Sequence, residues 1–153
     1  MTAPTVYVDA DACPVKEEAA RVAERHGLVI VYVANAGLRP SRDPMVRYVV
    51  VPQGADAADD WIVDHVVAGD VVITADIPLA DRALKAGAQV LGPTGKLFTE
   101  QSIGMSLALR DLNRHLRETG ESRGFNAAFE PRDRSRFLQA LDEAVRRATK
   151  SSS

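Results

Sequence analysis

Acidic residues follow two hydrophobic runs in this chain. Asp9 and Asp11 come directly after Val6–Val8, and Asp76 ends the run at 71–76. The carboxyl ends of strands in an open α/β sheet are where such folds bind their ligands, and several carboxylates close together need a cation to offset their repulsion. Carboxylate oxygens suit Mg²⁺ or Mn²⁺, and the sequence has no cysteine–histidine cluster of the kind that zinc prefers. The sequence therefore predicts a Mg²⁺ or Mn²⁺ site.

A third group of acidic residues begins a helical pattern. Asp56 and Asp59 have the spacing of a capping pair, and we expect Asp56 to cap the helix. Asp59 and Asp60 point about 100° apart on a helix, so one of them faces solvent, and the sequence does not say which. Asp81 either favours the dipole of its own helix or completes the acidic site. The predicted metal ligands are Asp9, Asp11, Asp59, Asp60, Asp76 and Asp81, of which Asp9 and Asp76 are the predicted catalytic residues.

Several polar and basic residues are candidates for contacts with a phosphate-bearing substrate. The loop at 39–44 contains two prolines and two arginines, which predicts a flap rather than a helix. Lys96 follows a turn at 92–95 whose glycines are too close together for a phosphate-binding loop, but it can act as a point charge. Ordinary solvated charge is the alternative for each of them. The predicted substrate contacts are Lys16, Asn35, Arg39, Arg42, Lys96 and Arg110.

The remaining chemically versatile side chains fit structural roles better. Cys13 is the only cysteine, which excludes an internal disulfide, and we expect it to pack at the N-cap of a helix. The three histidines, His26, His65 and His115, lack metal-ligand spacing. Trp61 lies within an amphipathic pattern, which favours core packing over stacking on a nucleic-acid base.

Valine- and isoleucine-rich runs alternate with helical patterns along the first part of the chain. This arrangement is typical of a parallel sheet covered by helices on both faces. Pro14 suits the first turn of the first helix, and Gly27 suits its end. We predict strands at about 5–9, 28–34, 47–51, 70–75 and 88–91, with helices at about 14–26, 57–68 and 78–86.

The C-terminal part has a different character. Apolar spacing predicts an amphipathic helix at 103–116 and another marked by Phe137, Leu141 and Val145, with a loop at 120–129 between them. We therefore expect one domain over 1–150, with a helical part at about 103–149, and a disordered tail at 151–153.

Composition sets broad limits on function. The 153 residues include 19 lysines and arginines and 21 aspartates and glutamates, so the net charge of −2 gives no argument for strong nucleic-acid binding. Basic residues outnumber acidic ones after residue 104, however, which fits either a polyanion-binding face or solvated helices. The sequence shows no signal peptide and no apolar stretch of about 20 residues, so we expect a soluble, cytoplasmic protein.

Three segments resemble a known family: Asp9–Lys16 (DADACPVK), Ala58–Ile62 (ADDWI) and Ile73–Ala80 (ITADIPLA). They are similar to the YaiI/YqxD family of uncharacterised bacterial proteins, and 106–110, Arg117 and 133–137 extend the similarity into the C-terminal half. That family is grouped with PIN-like domains, which are metal-dependent nucleases. The resemblance implies a single PIN-like domain with a mostly parallel twisted sheet and extra C-terminal helices. It also implies metal-site roles for Asp9, Asp76, Asp81 and either Asp59 or Asp60.

The resulting hypothesis is metal-dependent hydrolysis of RNA or single-stranded nucleic acid. One alternative is a phosphatase of the haloacid-dehalogenase type, with Asp9 as nucleophile and Asp11 as acid, although the order of the other motifs in the chain argues against it. Another is a non-catalytic RNA-binding module that uses the basic C-terminal half. The nuclease hypothesis requires Asp9 and Asp76 to converge in three dimensions.

Overall fold

The structure, a computed structural model, describes residues 3–11, 13–35, 42–52, 56–105, 108–109 and 129–152. Its strands and helices alternate as the sequence predicts, which confirms the α/β class. Residues 100–105 and 108–109 are also helical. The elements are β1 (Val6–Asp9), α1 (Lys16–Arg25), β2 (Ile30–Ala34), β3 (Val46–Val50), α2 (Ala57–His65), β4 (Val71–Ile73), α3 (Ile77–Lys85), β5 (Gln89–Leu91), β6 (Leu97–Phe98) and α4 (Pro131–Ser152).

Six strands form one sheet in the order β3-β2-β1-β4-β5-β6. The first five are parallel, and β6 pairs antiparallel with β5. The sequence pattern does not predict β6, because a strand of two residues is too short to show a periodicity. β1 lies between β2 and β4, so the direction in which strands are added reverses at β1 and β4. Ligands of open α/β sheets bind at the carboxyl side of such a switch point.

Helices cover both faces of the sheet, which explains why its strands are rich in valine. Val6 and Val8 of β1 pack in one core with residues of α1 and α4, while Tyr7 between them packs in a second core with α2 and α3. This division follows from the alternation of side chains along a strand. Both faces of β1 are therefore buried.

α4 belongs to the core of the domain. Phe137, Leu141 and Val145 are each fully buried, as their four-residue spacing predicts. A contact of 2.7 Å between His26 Nε2 and an Asp142 carboxylate oxygen also joins α1 to α4. α4 is described as far as Ser152, and the disorder predicted for 151–153 stays a prediction. Most of the predicted helix at 103–116 and of the loop at 120–129 lies outside the described residues.

The start of α1 differs from the prediction. Its N-cap is Val15, so Pro14 precedes the helix and Cys13 is not the cap. Val15 has a non-helical ψ of 28°, and its side chain is fully buried in the core. The helix begins at the next residue. Gly27 follows the helix with φ of +67°, a conformation that glycine adopts readily, as predicted. Among the described residues no helix is long and apolar enough to cross a bilayer.

Candidate acidic site at the carboxyl ends of β1 and β4

A cavity of about 290 Å³ opens at the carboxyl ends of β1 and β4. Asp9 ends β1, and Asp76 follows β4, the strand paired directly with β1. Both aspartates line the cavity, so the structure brings together the two residues on which the sequence hypothesis depends. Its walls are formed by Asp9, Asp11, Cys13, Ile73, Thr74, Ala75, Asp76 and Pro93.

Thr74 connects the two aspartates. Its hydroxyl donates a hydrogen bond of 2.9 Å to Asp9 Oδ2 and accepts one of 3.0 Å from the backbone N–H of Asp76. Thr74 is only 2% exposed, and both bonds are partly buried. Thr74 was not among the site residues predicted from the sequence. The signal in the sequence that could have identified Thr74 is its hydroxyl group two positions before the aspartate at a strand end.

Asp76 has a structural role as well as a place in the cavity. It is the N-cap of α3, and its Oδ1 accepts a hydrogen bond of 3.0 Å from the backbone N–H of Leu79. Capping satisfies a free N–H group at the start of the helix and fixes the direction of the carboxylate. Asp76 is exposed, so its other oxygen is accessible from the cavity.

Asp11 lies in the turn after β1 and is exposed. Its Oδ2 accepts a hydrogen bond of 3.1 Å from the backbone N–H of Asn35. The Asn35 side chain donates to the carbonyl of Pro52 at 3.1 Å. Asn35 was predicted to bind substrate, but in this structure it tethers Asp11 and links the ends of β2 and β3.

The structure distinguishes the two neighbouring acids on α2. Asp60 is exposed and forms a 2.9 Å ion pair with Arg82 of α3, and neither Asp60 nor Asp59 lines the cavity. Asp59 is half-buried, and burial together with the charges of Asp76 and Asp9 raises its pKa to about 6. Asp59 is therefore the acid of α2 that is electrostatically coupled to the site.

Two further predictions about acidic residues differ from the structure. Asp56 occupies the N-cap position of α2, but its side chain makes no capping hydrogen bond. Its charge instead contributes to the raised pKa of Asp59. Asp81 forms a 2.9 Å ion pair with Lys85, one helical turn away, and it does not line the cavity. Its position on α3, beyond the first turn, turns it toward Lys85.

The electrostatics at Asp9 are those of a crowded acidic site. Burial raises the pKa of its carboxyl group, the hydrogen bond from Thr74 lowers it, and the charges of Asp76 and Asp11 raise it again. The protein thus holds the carboxylate where ionisation is penalised. A cation at this position would relieve the penalty.

The predicted substrate contacts do not all lie beside the cavity. Lys16 begins α1, and its charge acts on the cavity residue Cys13. Lys96 is exposed after the turn that contains the cavity residue Pro93. Arg42 precedes β3 and therefore lies at the amino ends of the parallel strands, opposite the cavity. Arg39 and Arg110 lie outside the described residues, as does most of the predicted flap.

The cysteine and the aromatic side chains have packing contacts. Cys13 packs partly against the core, and burial raises the pKa of its thiol, which disfavours the nucleophilic thiolate. Trp61 packs against the second core and stacks on His65 with 3.8 Å between ring centroids. No histidine of the described residues lines the cavity, and His115 lies outside them.

Comparison with known proteins identifies the family. A family model described as uncharacterised, YaiI/YqxD family, matches residues 7–147. The chain belongs to the YaiI/YqxD family. It is 68% identical to a UPF0178 protein of Mesorhizobium japonicum, over 99% of this chain and 97% of that protein. It is 63% identical to a UPF0178 protein of Agrobacterium fabrum, over 96% of each chain. No solved structure matches the chain.

The side chains of this YaiI/YqxD protein suit a divalent ion that keeps part of its water shell. No group of three or more His, Cys, Asp or Glu side chains within the described ranges is arranged to hold a metal ion unaided. Of the six predicted ligands, Asp9, Asp11 and Asp76 line the cavity, whereas Asp59, Asp60 and Asp81 do not. Mg²⁺ usually retains several waters and binds one or two carboxylates plus substrate phosphates. The carboxylates of Asp9 and Asp76, which repel each other, fit that smaller donor set, with Asp59 nearby.

Asp59→Asn should stabilise the metal-free YaiI/YqxD protein at neutral pH. The pKa of Asp59 is raised to about 6 in the folded state from its usual 3.8, so this group lowers stability as the pH rises through that interval. At pH 7.5 the penalty is fully present, and after solvent screening we expect the variant to gain about 1 kcal/mol in free energy of unfolding. Urea unfolding in EDTA at pH 7.5 and at pH 4 measures this gain, which should nearly vanish at the lower pH.

Asp60→Asn is the matched control. It removes the same charge from the neighbouring position, but Asp60 is paired with Arg82 and exposed. We expect no gain in stability from this variant. Equal stabilisation by both variants would show that general charge on α2, rather than coupling of Asp59 to the site, is responsible.

Proposed function

We propose that this protein is a divalent-metal-dependent phosphodiesterase that hydrolyses RNA or single-stranded nucleic acid. The convergence of Asp9 and Asp76 on one cavity at the switch point of a parallel sheet carries the proposal. The resemblance to the YaiI/YqxD family, which is grouped with PIN-like domains, implies the same activity.

The roles of the residues follow from their contacts. Asp9 and Asp76 would hold Mg²⁺ or Mn²⁺, and Asp59 would add negative charge from α2. When bound, the ion lowers the pKa of a water molecule and offsets charge on the phosphate. Thr74 orients Asp9 through its hydroxyl, and the N-cap bond to Leu79 orients Asp76, so both carboxylates are fixed before substrate arrives. Lys16 and Lys96 would contact phosphates beside the cavity.

The test is cleavage of a labelled single-stranded RNA of mixed sequence by purified protein. We expect cleavage with Mn²⁺ and none with EDTA. A phosphomonoester such as p-nitrophenyl phosphate is assayed in parallel, and we expect it to be a poor substrate. Hydrolysis of the phosphomonoester with trapping of a phosphoenzyme at Asp9 would favour the phosphatase alternative. RNA binding without turnover under any divalent ion would favour the non-catalytic module.

A further inference from the structure

We propose that Arg134 and Arg136, at the start of α4, form with Lys16 and Lys96 a basic rim that binds backbone phosphates of single-stranded RNA beside the acidic cavity. This inference rests on the proposed function, since the scissile phosphate would lie in the cavity while neighbouring phosphates lie on the rim. The arginines of α4 were not among the predicted substrate contacts. They are about forty residues beyond Lys96 in sequence.

The turn at 92–95 places Arg136 near the cavity. Pro93 of this turn lines the cavity. Gly95 of the same turn lies against the backbone of α4, since a Cβ built on Gly95 would lie 2.8 Å from the carbonyl carbon and oxygen of Arg136. One short turn therefore contacts the cavity and the Arg136 backbone. Lys96 follows it directly.

Contacts with α1 place Arg134 on the same side. Arg134 Nε is 3.8 Å from Glu18 Oε1, so the first turns of α4 and α1 are adjacent. The charges of Lys16 and Glu18 both act on Cys13, which lines the cavity. The approach of Gly95 to Arg136 and the pairing of Arg134 with the first turns of α1 thus both place the start of α4 at the carboxyl end of the sheet, where the acidic site lies.

The cations of the rim are available to an anionic ligand. Arg136 and Lys96 are exposed, and neither forms an ion pair with a carboxylate in the described part of the chain. Arg134 is 53% exposed and packs over the ring of Phe129 at 5.5 Å, which holds the guanidinium in place. Its ion pair with Glu18 is long at 3.8 Å, and Glu18 Oε2 is buried with no hydrogen-bond partner among the described residues. The guanidinium of Arg134 carries five N–H donors, so a phosphate can bind its exposed side while Nε stays beside Glu18.

Charge balance explains why a rim is needed. The aspartates around the cavity repel a polyanion, and the net charge of the chain is also negative, at −2. Cations that contact backbone phosphates release counterions from the nucleic acid and supply affinity independent of sequence. Such contacts position a substrate without reading its bases, so the basic rim should bind RNA of any sequence.

The experiment measures binding of fluorescein-labelled oligouridylate by anisotropy in an Asp9→Asn background with Mg²⁺, so that cleavage does not interfere. We expect Arg134→Ala with Arg136→Ala to weaken binding about tenfold at low salt. A plot of log affinity against log salt concentration should become less steep by about 1.4. Each phosphate contact to a single strand contributes about 0.7 to the slope, and two contacts are removed. Arg21→Ala, which removes an exposed charge from α1, is the control and should leave affinity unchanged.

A second variant separates charge from folding. Arg134→Lys with Arg136→Lys keeps the positive charges, so it should retain most of the affinity that the alanine variant loses. Affinity in the alanine variant equal to that in Arg21→Ala would overturn the basic rim, as would equal losses in the lysine and alanine variants. The proposed nuclease is judged separately by Mn²⁺-dependent cleavage in the wild-type protein. Binding that depends on the rim without such cleavage would overturn the nuclease and leave the rim standing.

Discussion

Asp9→Asn is expected to reduce Mn²⁺-dependent cleavage of single-stranded RNA about 100-fold or more. Asparagine keeps the size of the side chain, and its carbonyl oxygen can still accept the hydrogen bond that Thr74 donates. The change therefore removes the negative charge while the neighbouring contacts remain. Loss of a direct carboxylate ligand should cost at least as much as loss of a supporting contact, which typically costs 10 to 100-fold. The rate of cleavage at saturating Mn²⁺ measures the effect.

Asp60→Asn is again the control, because Asp60 is paired with Arg82 away from the cavity. It should cleave at nearly the wild-type rate. The Asp9→Asn protein should also be at least as stable as wild type in EDTA, since burial and neighbouring charges raise the pKa of Asp9 and its ionised form is disfavoured. Undiminished cleavage by Asp9→Asn would point to a contaminating nuclease or to a different active centre. Thermal unfolding of both variants establishes that a loss of rate is not a loss of fold.

Gly95→Ala is expected to lower the free energy of unfolding by about 3 kcal/mol. Gly95 has φ of +90°, a conformation that costs an alanine roughly 1–2 kcal/mol. The added methyl group would also lie 2.8 Å from backbone atoms of Arg136, and backbone cannot move aside as a flexible side chain does. Overpacking of this kind costs about 1–3 kcal/mol. Urea unfolding at neutral pH measures the sum.

Gly69→Ala isolates the part of this loss that comes from packing against α4. Gly69 has a similar φ of +94°, but a Cβ there meets no atom of the described residues within 4 Å. We expect this variant to lose only about 1–2 kcal/mol, the contribution of backbone strain. Equal losses in the two alanine variants would show that the turn at 92–95 does not pack closely on α4. The structural basis of the rim at Arg136 would then be removed as well.

Local features account for what the sequence analysis predicted well. Strands that are buried on both faces appear in the sequence as continuous runs of valine and other apolar residues. The aspartates that follow these runs lie at the strand ends, independently of the tertiary structure. The pairing of β1 with β4 followed from a common strand order. In α4 the spacing of Phe137, Leu141 and Val145 was sufficient to predict its buried face.

The sequence left open several choices that depend on neighbours in space. Asp59 and Asp60 have the same chemistry and adjacent positions, and only the approach of Arg82 from α3 decides that Asp60 pairs outward. Lys85 likewise accounts for Asp81. Asn35 could not be assigned to Asp11 from sequence, because 24 positions separate them and the contact exists only once β2 lies beside β1.

The sequence by itself determined the α/β class, the family and the presence of acidic residues at two strand ends, because each of these is encoded in short, contiguous segments. Tertiary structure alone decided which acids share a cavity, that Thr74 joins Asp9 to Asp76, and that the start of α4 lies beside the site. These facts depend on contacts between segments far apart in the chain. Ion pairs and hydrogen bonds act between atoms a few ångströms apart, and the number of positions between two residues does not reveal how far apart their atoms are.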